Sequence, residues 1–388
     1  MITSTTWSLT EMASTHLQIQ RDEIDPDETA GVFVGDDAAQ VVMFLQHNDM
    51  DCFLQFSIAQ KVQILPLTKQ LTTIAGNSWN KTLNGGRAER NEYILLHDFH
   101  EKKYICPDKL TLTQKRSAKA AKKGEDGEDE PQQDATSGKK DKFKGGLVFE
   151  PKKGLCDKYV LVMDYNSLYP SLIQEYNIDF TTVNRAGDAY EDVDAIPDVP
   201  SSDVDKGVLP TLIAKLVEKR KEVKGLMKDK RASPSSLAQW NVKQLALKLT
   251  ANSMYGCLGF ENSRFYARPL AALTTFKGRE ILTKTRELAE SLALEVIYGD
   301  TDSVMINTNA VEYAEALKIG NDFKRSVNKQ YKLLEIDIDA VFRRMLLLQK
   351  KKYAALKVED DGKTTSKEIK GLDMKRREYS VLSKDASA

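Results

Sequence analysis

The sequence Tyr298-Gly299-Asp300-Thr301-Asp302-Ser303 lies between two short runs rich in β-branched residues, 294–297 and 304–306. This pattern predicts two strands joined by a tight turn. The turn carries two carboxylates, Asp300 and Asp302, and an extended backbone would direct both to the same side. Crowded carboxylates repel each other unless a cation lies between them, and Mg²⁺ prefers oxygen ligands. Because aspartate is also common in ordinary turns, the stretch alone favours a simple hairpin over a cation site.

A second carboxylate follows another predicted strand far upstream. Residues 159–163 are entirely apolar, as expected of a central strand, and the next residue is Asp164. If the two strand ends are neighbours in one sheet, Asp164 and Asp302 can hold two Mg²⁺ ions about 4 Å apart, with Asp300 nearby. That arrangement serves in-line phosphoryl transfer.

Two predicted helices, residues 211–231 and 237–255, lie between these strand ends and carry polar residues at helical spacing. The short break between them predicts an antiparallel helix pair, and Gly256 is expected to end the second helix. A solvated surface or ordinary packing explains each polar residue taken alone. Together with the acids, they indicate a triphosphate site. The residues that share faces are Arg220 with Lys224, and Lys248 with Asn252 and Tyr255.

Composition limits the classes of protein that fit. The chain has 388 residues, 41% apolar and 29% charged, which allows two or three domains. Its four cysteines have no paired spacing, so neither a zinc site nor a disulfide framework is predicted. Its apolar runs are far shorter than the roughly 18 residues of a membrane span, and no signal peptide precedes them. The net charge is zero, but residues 215–231 carry eight Lys or Arg against three Asp or Glu, which favours an anionic substrate.

Outside these segments the pattern predicts helices over residues 36–45, 49–65, 269–292 and 311–331, and strands over 93–96, 334–338 and 345–348. Residues 115–142 are predicted to be a charged linker, because they contain no aromatic or branched apolar residue. After a polar turn at 359–363, no terminal element is expected, and we expect the chain to be part of a longer protein.

The motifs resemble those of the family B DNA polymerases, and they occur in the order of that family. Asp164–Ser171 resembles motif A, Lys248–Gly256 motif B and Tyr298–Ser303 motif C. Lys350–Tyr353 is similar to the primer-contacting motif of the family. Phe143–Gly146 is similar to its exonuclease–polymerase junction motif, with Phe where Tyr is usual.

The resemblance implies a role for each matching residue. Asp164 and Asp302 would ligate both Mg²⁺ ions, with Asp300 as a third, less essential catalytic acid. Tyr169 would be a steric gate against the ribose 2′-hydroxyl. The dNTP-binding residues would be Leu168, Tyr169, Arg220, Lys224, Lys248, Asn252, Tyr255 and Gly256. The residues that contact primer and template would be Gly145, Gly146, Lys351, Lys352 and Tyr353.

The implied fold is α+β, a right-hand polymerase with an antiparallel palm sheet and helical-hairpin fingers. A partial exonuclease-like domain would precede it, and the start of a thumb would follow. The expected domains are the end of a degenerate exonuclease-like domain (1–105), a charged linker (106–142), the first part of the palm (143–206), fingers (207–268), the second part of the palm (269–358) and the start of the thumb (359–388).

The implied function is template-directed addition of deoxynucleotides to a primer 3′-end. Asn166, residues 178–182 and 254–260, and parts of 76–92 resemble the nuclear branch that extends RNA primers made by primase. In that branch, primase and an accessory B subunit bind through C-terminal regions that this sequence does not contain. The exonuclease motif Tyr-x-x-x-Asp has His47 in place of Tyr before Asp51, so we expect no proofreading. The alternatives are a delta-type replicative enzyme, an inactive polymerase-like scaffold and a metal-dependent nuclease.

Overall fold

The computed structural model describes residues 7–109, 113–114, 144–184, 195–229, 231–359, 361–376 and 378–387. Residues 115–142 of the predicted linker and Phe143 lie outside these ranges. The chain divides into two compact units, one formed by Met1–Gln70 with Gly371–Ala388 and the other by Leu71–Lys370. In the described part of the chain, no helix combines the length and the apolar character needed to cross a membrane.

The first unit is helical. Its elements are α1 (Leu9–Met12), a π-helical turn (Ala13–Leu17), α2 (Pro26–Val34), α3 (Ala38–Lys61), a 3₁₀ turn (Asp373–Lys375) and α12 (Val381–Ser387); α4 (Ile64–Ala75) runs from this unit into the next. The helix predictions for 36–45 and 49–65 are joined in one helix, α3, and Pro66 lies in the first turn of α4, where its fixed φ fits. The expectation that the chain lacks a terminal element is wrong, because α12 forms there.

The second unit is built on a seven-stranded antiparallel sheet. Its strands are β1 (Gly154–Cys156), β2 (Val160–Tyr165), β3 (Glu295–Asp300), β4 (Ser303–Asn307), β5 (Ile336–Gln349), β6 (Lys352–Val358) and β7 (Thr365–Lys370). The order is β3-β4-β2-β5-β6-β7, and β1 pairs with β5. The mixed architecture of helices and antiparallel sheet expected from the sequence is therefore confirmed. β5 is a single strand, although the sequence predicts two, because polar residues interrupt its apolar pattern.

Within the described residues of the second unit, seven helices surround this sheet or pack with each other. They are α5 (Trp79–Asn84), α6 (Arg87–Glu101), α7 (Leu168–Glu175), α8 (Val208–Leu226), α9 (Pro234–Leu258), α10 (Arg268–Ser291) and α11 (Tyr313–Asn328). The strand predicted at 93–96 is wrong: these residues lie in α6, which buries Ile94, Leu95 and Phe99. A four-residue apolar run has too few positions to distinguish the two periods.

The predicted helix pair is formed by α8 and α9, which pack against each other. Ser233 accepts a hydrogen bond from the backbone of Ser236 and caps α9, and Pro234 fits its first turn. The prediction that Gly256 ends this helix is wrong, because α9 continues to Leu258. Cys257 and Leu258 are buried, and their packing outweighs the roughly 1 kcal/mol that a helical glycine costs.

The sheet is buried on both faces around β2. Leu161, Met163 and Tyr165 pack with α7, α10 and α11 on one face. Val160 and Val162 pack on the other face with Phe342 and with other side chains of β3–β6. Alternation along β2 therefore places Asp164 on the second face, at the end of a strand that is fixed from both sides.

Candidate active site

Asp164 and Asp302 lie at adjacent strand ends. Asp164 is opposite Ser303 of β4 and Asp337 of β5. The backbone N–H of Tyr165, the next residue, donates to the backbone carbonyl of Asp302 at 2.9 Å. One backbone hydrogen bond thus links the residue after Asp164 to Asp302, although the two acids are far apart in the sequence.

The charge of Asp302 acts on the carboxyl group of Asp164. Burial raises the pKa of Asp164 to about 7, and the negative charges of Asp302 and Asp339 add to this effect. Burial likewise raises the pKa of Asp302, and the charge of Asp300 adds to it. The site therefore concentrates negative charge in a partly desolvated place, and a bound cation would relieve that repulsion.

This pair fits an open cation site. In the part of the chain that the structure describes, no group of three or more His, Cys, Asp or Glu side chains forms a metal cage. Mg²⁺ does not require such a cage, because one or two carboxylates bind it together with water and substrate phosphates. The donors of Asp164 and Asp302 are oxygen atoms, which suit this ion.

Asp300 has a different environment. Thr301 has a φ of 59°, so the backbone is not extended across the turn, and the alternation argument for Asp300 and Asp302 does not hold. The Asp300 carboxylate accepts from Lys351 Nζ at 2.9 Å and from the Thr301 hydroxyl at 3.0 Å. This bond raises the pKa of Lys351, and the Lys351 backbone N–H donates to the Tyr298 hydroxyl at 2.9 Å. Asp300 therefore links the hairpin to the Lys-Lys-Lys-Tyr segment.

The junction segment follows the same hairpin. The backbone carbonyl of Leu147 accepts a bond from the backbone N–H of Thr301 at 2.8 Å. A Cβ at Gly146 would lie 2.7 Å from the Thr301 hydroxyl oxygen, so only glycine fits this close approach. Arg279 of α10 donates to the carbonyl of Gly145 at 2.9 Å and fixes the segment from the other side. The predicted residues Gly145 and Gly146 thus lie beside the motif C turn.

The aromatic residues of motifs A and B meet beside the acids. The rings of Tyr169 and Tyr255 are stacked, with centroids 4.2 Å apart and planes 19° apart. Burial raises the pKa of both phenols, and the charge of Asp302 raises that of Tyr169 further. Leu168, which begins α7, is buried.

The face predicted on α9 comprises Lys248, Asn252 and Tyr255. In the structure Lys248 and Asn252 are exposed, and Tyr255 is half-buried. The positive charge of Lys248 lowers the pKa of Asp164, so this face is directed toward the acids. On α8, Arg220 donates from Nε to Gln244 of α9 at 3.3 Å, and Lys224 is exposed.

The predicted primer-contact residues lie on β6 and just before it. Lys352 begins β6 and is half-buried, and Tyr353 is buried. The Tyr353 hydroxyl donates to Glu368 Oε1 at 3.1 Å, and Tyr353 lies opposite Lys370 of β7.

A cavity of about 940 Å³ in the same unit is lined by residues 104–109 and 261–266, together with Phe99, Phe180 and Thr181. Asp164, Asp300 and Asp302 do not line this cavity.

Three charged residues near the acids are not predicted from the sequence. Asp339 raises the pKa values of Asp164 and Asp302, Lys370 lowers that of Asp164, and Arg279 holds the junction segment. The Asp-Ile-Asp alternation at 337–339 is the one available signal, because it repeats the Asp-x-Asp spacing of the hairpin turn.

Comparison with known proteins agrees with this geometry. The model of DNA polymerase family B matches residues 77–388. The chain is 53% identical over 384 residues to the DNA polymerase alpha catalytic subunit of Saccharomyces cerevisiae, covering 98% of this chain and 25% of that protein. It is 48% identical to the DNA polymerase alpha catalytic subunit of Xenopus laevis, covering 100% of this chain and 27% of that protein. For the Mus musculus protein of the same name the identity is 47%, covering 98% and 26%.

The chain spans about a quarter of the length of these curated relatives. Their names confirm the branch of the family that Asn166 and residues 178–182 resemble. The family match covers the acids, the helix pair and the Lys-Lys-Lys-Tyr segment together. This chain belongs to DNA polymerase family B.

Proposed function

We propose that this chain carries the nucleotidyl-transfer site of a DNA-directed DNA polymerase of the alpha type. The main support is the convergence of Asp164 and Asp302 at adjacent strand ends, faced by Lys248. In this proposal the sheet with α7 and α10 is the palm, and α8 with α9 forms the fingers. Residues 1–105 end an exonuclease-like domain, and residues 359–388 begin the thumb.

Each group near the acids has a definite task in the transfer of a deoxynucleotide to a primer 3′-hydroxyl. Asp164 and Asp302 would hold two Mg²⁺ ions, which would supply charge neutralisation and orientation for the triphosphate. Lys248 adds positive charge opposite the acids, and Asn252 and Gly256 extend the same helix face. Arg220 and Lys224 contact the triphosphate from α8, and the backbone at Leu168 contacts it from below.

Tyr169 selects the sugar. Its ring is stacked on Tyr255 of motif B, and its pKa is raised by burial and further by the charge of Asp302. A rigid ring at that place excludes the 2′-hydroxyl of a ribonucleotide. Tyr255 and Gly256 then pack against the new base pair.

The primer end is held by the Lys-Lys-Lys-Tyr segment and the junction segment. Lys351 lies beside Asp300 at the hairpin, and Lys352 and Tyr353 follow on β6. Gly145 and Gly146 approach the same turn. These residues contact backbone phosphates and the minor groove, which position the duplex without reading its sequence.

The absence of proofreading belongs to the same proposal. In the first unit Asp51, the acid of the exonuclease-like motif, accepts two bonds from Arg21, at 2.6 and 2.8 Å. These bonds lower the pKa of Asp51. His47 replaces the expected tyrosine and lies 3.2 Å from the same guanidinium. The charge of the Asp51 carboxylate is therefore already balanced by the Arg21 guanidinium, which would compete with a metal ion.

The alpha-type assignment extends the proposal to partners. The substrates are dNTPs and primer–template DNA, including RNA-primed DNA, and the setting is nuclear replication initiation. Primase and an accessory B subunit bind through regions outside this chain. A delta-type enzyme is the second candidate within the family, but the residues at Asn166 and 178–182 favour the alpha type.

The test is incubation of the protein with labelled primer–template, Mg²⁺ and dNTPs. Extension supports the proposal, shortening indicates a nuclease, and no change indicates an inactive scaffold. An RNA-primed and a DNA-primed template compared side by side, with and without a mismatched primer end, test the alpha-type role. Removal of the mismatched end before extension would contradict the absence of proofreading.

A further inference from the structure

A row of polar side chains crosses neighbouring strands on the face that carries Asp164. Tyr353 of β6 lies opposite Lys370 of β7, and Glu368 lies two positions before Lys370 on the same strand. Opposed residues of antiparallel strands share a face, and alternate residues of one strand do too. Tyr353 and Val162 belong to the same buried cluster of that face, and Asp164 follows Val162 by two positions. The row therefore runs from Asp164 to the outer strand.

Glu368 is the centre of the outer part of this row. Its Oε1 accepts from the Tyr353 hydroxyl at 3.1 Å and lies 3.4 Å from Lys370 Nζ. Lys370 Nζ also lies 5.9 Å from the centroid of the Tyr353 ring. One carboxylate oxygen thus fixes a buried phenol and an exposed ammonium group at the same time.

The electrostatic links continue inward along the row. The charge of Lys370 lowers the pKa of Asp164, while burial raises the pKa of Tyr353 and the charges of Glu368 and Asp339 add to that effect. Loss of the Glu368 carboxylate would leave the buried Tyr353 hydroxyl without this acceptor and would release Lys370. A buried polar group that loses its partner is costly, so the ring would change its position or its hydration.

We propose that Glu368 is a positioning residue for the primer end, because it holds Tyr353, and with it Lys370, in the orientation that receives the primer strand. This inference rests on the proposed function, in which Tyr353 contacts the primer. Glu368 acts through Tyr353 and does not itself touch the reacting atoms.

The experiment is a double-mutant cycle in the full-length protein with Glu368→Ala, Tyr353→Phe and both changes together. Primer–template affinity is measured by fluorescence anisotropy, and steady-state extension gives KM for primer–template and for dNTP. We expect Glu368→Ala to weaken primer–template affinity by at least about tenfold, the lower end of the effect expected for a hydrogen bond to a charged group. The KM for dNTP should remain unchanged. The double variant should be no weaker than the weaker-binding single variant.

Two further variants separate positioning from folding. Glu368→Gln keeps an oxygen acceptor for Tyr353, so it should recover most of the affinity. Glu359→Ala, at the turn end of the same β6–β7 hairpin, is the control and should bind like the wild type. Wild-type affinity of Glu368→Ala, additive losses in the double variant or no recovery with Glu368→Gln would overturn the inference alone. A wild-type protein that neither binds nor extends primer–template would overturn the proposed function and this inference with it.

Discussion

Replacement of Tyr255 by alanine should weaken the selection of deoxyribonucleotides even though Tyr169, the proposed gate, is untouched. The two rings are stacked with centroids 4.2 Å apart, and Tyr255 is the ring on which Tyr169 rests. A stacked aromatic pair contributes about 0.5–1.5 kcal/mol beyond the area it buries. If the stack holds the gate closed, Tyr255→Ala should lower sugar selectivity by roughly two- to twelvefold.

The assay is single-nucleotide insertion with a dNTP and the matching rNTP, and the ratio of the two kcat/KM values is the selectivity. This ratio removes any loss of base-pair packing, because such a loss affects both substrates. Tyr255→Phe keeps the ring and should behave like the wild type, whereas Tyr169→Ala should lose more selectivity than Tyr255→Ala. An unchanged ratio in Tyr255→Ala, or an equal loss in Tyr255→Phe, would refute the role of the stack.

Four further outcomes follow from the site. Asp302→Asn should abolish extension yet leave primer–template binding within about twofold in an anisotropy titration, because it removes a metal ligand but no DNA contact; near-normal extension would contradict the mechanism. Lys351→Ala should weaken primer–template binding and reduce the salt slope by about one, and an unchanged slope would exclude a phosphate contact. The pKa of Asp164 is raised to about 7, and a carboxyl group must lose its proton to bind a cation. The half-saturating Mg²⁺ concentration, followed by calorimetry, should therefore rise roughly tenfold as pH falls from about 8 to about 6; a flat profile would contradict this assignment. Gly299→Ala should destabilise the second unit by about 1–3 kcal/mol in thermal unfolding, because its Cβ would lie 2.5 Å from an aromatic ring. Gly225→Ala, where a Cβ meets open space, is the control, and equal stability of the two variants would refute the overpacking argument.

The elements with long or clean periodicity were predictable from the sequence. The hairpin around Asp300, the apolar strand before Asp164 and the helix pair of residues 208–258 all form, because their patterns are dominated by local geometry. The run 93–96 was not predictable in the same way, since its helical period is visible only when Phe99 is included. The continuous strand β5 was equally hidden, because Arg343 and Arg344 are exposed in its middle.

In the candidate site, too, the features set by local patterns were predictable, and those set by tertiary packing were not. The meeting of Asp164 with Asp302 followed from two strand ends, and the face of Lys248 followed from helical spacing. The part played by Asp339 depends on the sheet register, which shifts between Val162 and Met163 at this point. Such a bulge changes the direction of the side chains around it, and the local sequence pattern does not predict it. Contacts of Arg279 with the junction segment likewise depend on how α10 packs, which no spacing rule gives.

The paired hydrogen bonds between Arg21 and Asp51 have a consequence for any attempt to give this chain an editing activity. A guanidinium held by two bonds cannot be displaced by a single incoming ion without leaving its own charge stranded in a half-buried place. Changing His47 to tyrosine would therefore restore the residue that the Tyr-x-x-x-Asp motif requires, but Asp51 would still be paired with Arg21. We therefore expect that an editing activity at this position would require at least two coordinated replacements, with Arg21 changed before His47.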